Sequence, residues 1–294
     1  EGIKYLKKKN IEIIEMKKNK GFSTAVNKGV KALSKMDYIL LLNFDIILKK
    51  HAVKEMLKVF DKKSKIAGIA PKIYLYDYPE NFDSVGTLIH PGLIAANRGI
   101  GQPDIGQFDN SEPVFGSCFG CTLLSVKALK EIGELWENFF LYYEDVDWCW
   151  RARMEGWMFM TAPKAEVIHH HSFLLKNKPS TFKYHYIQSN LLLSIVRLLE
   201  PQKAFIEIAR RSKALFNRAK AEKEMRKATL SLFFRFFKML IPAILSRIKI
   251  QKRRTVKDSL LFGFSDGHEG CFSDTEYKPI ENNLPQTLAL YQKW

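Results

Sequence analysis

The chain has 294 residues, enough for one large domain or for a domain with an appendage. A hydrophobic share of 46% supports a packed core and excludes intrinsic disorder. The net charge of +16 is unevenly spread: residues 202–258 hold 17 Lys/Arg against 4 Asp/Glu, and Lys7, Lys8, Lys9, Lys17, Lys18 and Lys20 crowd the start.

Ile11 to Ile14 reads as a short strand, Asn19-Lys20-Gly21 as a turn and Phe22 to Leu33 as a helix. Tyr38 to Leu42 is an uninterrupted apolar strand of the kind buried in a parallel sheet. His51 to Phe60 follows as an amphipathic helix with Val53, Met56, Leu57 and Phe60 on one face, then Ile66 to Ala70 as a strand. This alternation is the signature of an α/β fold. Residues 72–112 are rich in Gly, Pro, Asp and Asn and read as a long irregular stretch of functional use. A strand at Cys118 to Val126 and a short helix at Lys127 to Ile132 come next. The helix Glu144 to Glu155 ends at Gly156, and two short strands follow at Met158 to Thr161 and Ala165 to His169. Beyond Pro179 the pattern turns helical, over Phe182 to Leu199, Gln202 to Arg226 and Leu230 to Ile250, with a weakly periodic tail from Thr255.

Cys118 and Cys121 have the two-residue gap of half a zinc knuckle, but no second pair follows, so Cys118, Cys121, Cys149 and Cys271 read as thiols in a reducing cytoplasm. No signal peptide is legible, and the longest apolar candidate, Leu230 to Leu245, contains Arg235, Lys238 and Pro242.

Two acidic clusters carry the chemistry. Leu41-Leu42-Asn43-Phe44-Asp45 is an apolar run ending in Asn and Asp. Phe139 to Trp148 runs from aromatics into Glu144, Asp145 and Asp147. Carboxylates at strand ends are costly unless they meet a cation, and together they suit a hard metal that holds a phosphate. A spare carboxylate can then serve as general base.

These residues resemble family-2 glycosyltransferases, most closely the bacterial rhamnosyltransferase-like branch that builds surface polysaccharides. Asn19-Lys20-Gly21-Phe22 with Ala25-Val26-Asn27-Lys28-Gly29 is similar to the family's Asn-x-Gly-Phe…Ala-x-Asn-x-Gly stretch. Leu41 to Asp45 is similar to a variant of its Asp-x-Asp motif. Phe139 to Arg151 is similar to its Phe-Phe-x-Tyr-x-Glu-Asp-x-Asp…Arg block, and Val167-Ile168-His169 to its closing Val-x-His.

The resemblance spans roughly residues 1–200 and implies a GT-A, Rossmann-like nucleotide-sugar-binding domain there, with residues 201–294 as a basic helical extension and tail. It also implies an inverting hexosyl or deoxyhexosyl transfer with Mg²⁺ or Mn²⁺. Family members begin with strands that hold the base and ribose. This sequence starts past them, so the expected domain lacks its first strands, and a truncated, non-catalytic scaffold or partner protein is the alternative.

By the same resemblance Asp45 is the expected metal ligand, at a strand end where open α/β sheets bind ligands. His169 is the expected second ligand, although His170 and His171 adjoin it and alternation puts His169 and His171 on one face. Asp145 is the expected general base, and Glu144 the expected partner of acceptor hydroxyls. Asn43 is placed against ribose or a metal-bound water. Asn19, Gly21 and Asn27 line the expected nucleotide site, and Gly116 and Gly120 either let the backbone approach the donor sugar or serve packing. Asp147 and Arg151, four apart, suit an ion pair.

Leu230, Phe233, Phe234, Phe237, Ile241, Ile244, Leu245 and Ile248 form an apolar stripe among basic residues. Such a helix suits an anionic membrane interface or packing on the catalytic domain. The expected partners are a nucleotide-sugar donor and a glycan or lipid-linked acceptor at the cytoplasmic face of the membrane. No nucleic-acid motif accompanies the charge.

Overall fold

The computed structural model describes residues 2–60, 64–90, 93–170 and 179–262. His171, Cys271 and most of the tail lie outside them.

The chain opens with helix α1 (Gly2–Lys8), then α2 (Phe22–Ala32), β1 (Tyr38–Leu42), β2 (Ile46–Leu48), α3 (Ala52–Val59) and β3 (Ile66–Leu75). Four short strands follow: β4 (Phe82–Ser84), β5 (Thr87–His90), β6 (Ile94–Asn97) and β7 (Pro113–Val114). Next come β8 (Cys121–Ser125), α4 (Val126–Ile132), α5 (Glu144–Met154) and β9 (Met158–His169). Helices α6 (Ser180–Leu198), α7 (Pro201–Ala221), α8 (Lys223–Gln251) and α9 (Asp258–Phe262) complete the described chain. Local chemistry sets several boundaries. The Ser125 hydroxyl caps α4 by accepting from the Ala128 N–H at 3.3 Å. Pro201 starts α7, where its missing N–H is not needed.

One mixed sheet has the strand order β1-β8-β3-β9-β2, with β4 added on β3 and β7 on β9. Among the described strands only β3 and β9 pair in parallel. All ten residues of the central β3 are buried. The main core lies between this sheet and helices α4, α5 and α6, around Phe159, Trp148, Trp150, Leu191 and Ile195. A second core, with Tyr184, Leu192, Leu215, Leu232 and Phe236, binds α6 to α7 and α8.

Four expectations are corrected. Ile11 to Ile14 forms no strand: it has no partner among the described strands, and Ile11 and Ile14 are 50% and 46% exposed. β1 is half-buried at one end of the strand order and runs antiparallel to β8, so its apolar run does not mark a buried parallel strand. Residues 72–112 are not one irregular stretch, because β3 continues to Leu75 and the described residues beyond it include β4 and the β5–β6 pair. The two strands predicted after Gly156 are one. The pairing with β3 jumps from Pro71–Ala162 to Lys72–Glu166, so Pro163 falls in an irregularity that needs no ladder N–H.

Candidate functional site

The strand register assembles an Asp–His–Asp cluster. Ile46 of β2 pairs with His169 of β9, which places Asp45 at that end of the sheet. Leu75 of β3 pairs with His169 from the other side, and β4 pairs with β3 two residues earlier, which brings in Asp83. His169 Nδ1 lies 2.5 Å from Asp83 Oδ2, and its Nε2 lies 3.5 Å from Asp45 Oδ1. The His170 N–H donates to the Asp45 carbonyl at 2.9 Å, fixing the backbone between them. Burial opposes a charge on His169, but the carboxylates of Asp83 and Asp45 outweigh it and raise its pKa above the ordinary value.

These residues fit a divalent cation. Asp45 Oδ1 is buried without a hydrogen-bond partner and faces the imidazole. A carboxylate oxygen with an imidazole nitrogen suits Mn²⁺, and Asp83 orients the imidazole from behind. Among the described residues no three His, Cys, Asp or Glu side chains form a closed cage. An ion held by one or two protein groups takes its remaining ligands from phosphate and water.

The second acidic group sits at the start of α5. Glu144 is 7% exposed, and its Oε2 is buried without a hydrogen-bond partner. Burial, and then the charge of Asp145, push the Glu144 carboxyl well above the usual range. Burial also raises Asp145, against hydrogen bonds from backbone N–H groups that include Val146, at 2.8 Å, and Phe119. The segment before β8 separates the two groups. Burial lifts the Cys118 thiol, and so do the charges of Asp145 and Asp83, so both carboxylates act on this one residue. Beside it the Asn43 N–H donates to the Gly120 carbonyl at 2.8 Å. The structure thus brings Asn43 and Asp145 to residues 118–120, with Asp83 of the His169 cluster acting on Cys118. A Cβ on Gly120 would meet only ordinary contacts, 3.5 Å from Cys118 Sγ and 3.7 Å from Asn43 Nδ2. Gly116 is tighter, since a Cβ there would lie 2.7 Å from Cys149 Sγ.

The Asn19–Asn27 stretch grips the acidic turn. Asn19 Oδ1 accepts from the Gly21 N–H at 3.0 Å. Gly21 has φ +90°, and a Cβ there would overlap the Phe140 carbonyl oxygen. The Phe22 N–H donates to that same oxygen at 2.9 Å. The close approach that requires this glycine is therefore to Phe140. Asn27, expected to line a nucleotide, is a clamp: its amide N–H₂ donates to the Leu135 carbonyl at 2.9 Å and to Glu137 at 3.1 Å, and its oxygen accepts from the Leu135 N–H at 2.9 Å.

Several contributors were not legible in the sequence. Tyr142 and Tyr143 have φ 66° and 69°, two consecutive left-handed residues directly before Glu144. Such strain needs support from outside. Asn190 of α6 supplies it by donating to the carbonyls of Leu141, at 3.0 Å, and Tyr142, at 2.6 Å. The Tyr143 hydroxyl donates to the Leu93 carbonyl at 3.0 Å and accepts from the Ala95 N–H at 3.1 Å. Asp83, between Phe82 and Ser84, carried no signal of its own and lies inside a stretch that reads as loop. Asp147 bonds Arg151 Nε at 3.1 Å, the i, i+4 pair, and also meets Arg197 of α6. A cavity of about 570 Å³ between residues 132–138 and α8 is lined by Arg151, Arg197, Lys249 and Arg253 and reaches none of the site carboxylates.

Known proteins resemble this chain over part of its length. The family model described as glycosyl transferase family 2 matches residues 2–133, which include Asn43 and Asp45 and end before Glu144, Asp145 and His169. A hexosyltransferase of low-salt glycan biosynthesis from Haloferax volcanii is 29% identical over 154 residues, 50% of this chain and 48% of that protein. An N-acetylglucosaminyl-diphospho-decaprenol L-rhamnosyltransferase from Mycobacterium tuberculosis is 25% identical over 193 residues, 58% of this chain and 62% of that protein. The chain thus spans less than two thirds of these relatives. Among solved structures, GalNAc-T7 with UDP, GalNAc and Mn²⁺ superposes with a TM-score of 0.56 at 12% identity, covering 84% of this chain and 48% of that one. Residues 2–133 thus match glycosyl transferase family 2, and the chain has a GT-A fold.

Proposed function

We propose that this chain catalyses inverting transfer of a hexose or deoxyhexose from a nucleotide-sugar donor to a glycan or lipid-linked glycan acceptor in cell-surface polysaccharide synthesis. The observation that carries the reading is the Asp45–His169–Asp83 cluster at one end of the sheet, supported by the buried Glu144–Asp145 pair at the start of α5.

Asp145 accepts the proton of the acceptor hydroxyl as that oxygen bonds to the anomeric carbon. The bond to the nucleoside diphosphate breaks on the opposite face. The raised pKa of Asp145 makes it a stronger base than an exposed aspartate. Glu144, kept neutral by burial and by its neighbour's charge, donates a hydrogen bond to the acceptor. Asp45 and His169 would hold Mg²⁺ or Mn²⁺, and when bound the ion neutralises charge developing on the departing diphosphate. Asn43 and Gly120 line the donor side, while Asn19, Gly21 and Asn27 brace it. The mycobacterial relative is named for a decaprenol-linked substrate, which supports a lipid-linked acceptor.

Asp145→Asn keeps the shape of the site and removes proton acceptance. Turnover is expected to fall at least about a hundredfold while nucleoside diphosphate binding with Mn²⁺, read by calorimetry, is retained. Asp45→Ala should instead abolish the metal-dependent part of that binding. Near-normal turnover in the first variant excludes Asp145 as base, and unchanged metal-dependent affinity in the second excludes Asp45 as ligand.

A further inference from the structure

Helix α8 has two apolar faces. Met225, Leu232, Phe236, Ala243 and Ile250 are buried against the rest of the protein. On the other side Leu230, Phe234, Phe237 and Ile241 are each at least 64% exposed, and Ile248 is 53% exposed. At 100° per residue these two sets project in nearly opposite directions. Lys227, Lys238 and Lys249, eleven residues apart, run in a line along the flank of the outer set. Phe233, which the sequence placed in the stripe, turns partly inward and stacks on Phe216 of α7 at 4.8 Å. A contiguous row of large exposed apolar side chains marks a contact surface, whereas scattered ones do not.

Charge decides the partner. The segment 202–258 carries 17 Lys/Arg against 4 Asp/Glu, so pairing two copies through this face would bring like charges together. An anionic bilayer surface takes the apolar row and the lysine line at once. At 29 residues α8 is long enough to cross a membrane, yet crossing would strip its inner face from the second core. Lying flat keeps that core. The helix is also tied to the candidate site: Arg235 donates to the Asn138 carbonyl at 2.8 Å, just ahead of the Phe139–Asp145 block, and to Ser189 Oγ at 2.7 Å.

We propose that the outer face of α8 docks on an anionic lipid bilayer, with the helix in the interface plane and Lys227, Lys238 and Lys249 against lipid phosphates. This deepens the transfer reading by naming the surface where a lipid-linked acceptor is met, but it is tested without turnover, so either reading can fail alone. The test is sedimentation of the full chain with phosphatidylglycerol–phosphatidylcholine vesicles and with phosphatidylcholine vesicles. The protein should sediment with the anionic vesicles at low salt, and less with neutral vesicles or at high salt. Phe234→Glu with Phe237→Glu should cut the bound fraction at least about tenfold, with thermal unfolding unchanged because both side chains are exposed. Lys227→Gln with Lys238→Gln and Lys249→Gln should remove the preference for anionic vesicles. Wild-type protein that ignores anionic vesicles overturns the proposal, as does a Phe-to-Glu pair that binds like wild type. A concentration-dependent dimer lost in that pair, without vesicle binding, would assign the face to a second copy instead.

Discussion

At the scale of single residues, His169 lies between two carboxylates of different standing. Asp83 is 1% exposed and hydrogen-bonds Nδ1. Asp45 faces Nε2 with an oxygen that has no other partner. Asp83→Asn removes the charge that orients the imidazole. Metal-dependent nucleoside diphosphate affinity should then drop about 10–100-fold in calorimetry, and unchanged affinity would reduce Asp83 to a packing group. Glu144 permits a test of stability. Burial first, then the charge of Asp145, raises its pKa in the folded state. Between the ordinary carboxylate range and that raised value, the native state holds a proton that the unfolded chain has released. Stability therefore falls as pH rises through this window. Glu144→Gln removes the effect, so its melting temperature should exceed that of wild type at pH 8 and match it near pH 5. An equal shift at both pH values would rule out the buried charge as the cause. Asp45 and Asp145 stood out in the sequence because acids after apolar or aromatic runs are conspicuous. Asp83 did not, since it lies 86 positions from His169 and only the strand register brings them together.

At the scale of elements, helices were more legible than strands. The 3.6-residue period marked α2, α3, α5 and α6 to within about two residues. Short strands such as β4, β5 and β6 lack the length to show a period, and a strand also needs a partner that the local sequence does not specify. Ile11 to Ile14 shows the converse, β-branched residues left without a partner. Gly21 is the element-level hinge of the candidate site, because it ends the Asn19 turn against the Phe140 backbone at φ +90°. Gly21→Ala should destabilise the fold by about 1–3 kcal/mol from backbone conformation alone, with the overlap at Phe140 adding to it. Urea denaturation measures this, and an unchanged midpoint would mean that the Phe140 turn yields freely.

At the scale of the whole molecule, α6 is a shared wall. Leu191, Ile195 and Leu198 belong to the sheet core, while Leu192, Leu193 and Val196 belong to the helical core. Asn190 of the same helix holds the strained turn, and Arg197 pairs with the buried Asp147 of α5 and lies 4.1 Å from the Trp136 ring centroid. Burial lowers the pKa of Arg197 to about 10, which the Asp147 charge only partly offsets, so this cation is held at a cost. Arg197→Met would leave Asp147 with Arg151 as its only cation and a long hydrogen bond from the Ser194 hydroxyl, at 3.4 Å. Since Arg151 remains, the loss should fall near the lower end of the about 3–5 kcal/mol typical of breaking a buried pair. Because α6 serves both cores, sheet and helices should unfold together. Two separate transitions in denaturant would instead mark a boundary near residue 200.

The sequence by itself determined the helix periods, the two acidic clusters, the basic segment and the resemblance that pointed to glycosyl transfer. Each of these is a local pattern, carried by residues within a few turns or one strand of each other. Tertiary structure alone decided that β4 delivers Asp83 to His169, that Gly21 meets Phe140, that Asn27 clamps Leu135, and that α8 turns Phe233 inward and Phe234 outward. Those outcomes depend on register and on packing between segments far apart in the chain, where a shift of one residue exchanges the faces of a strand.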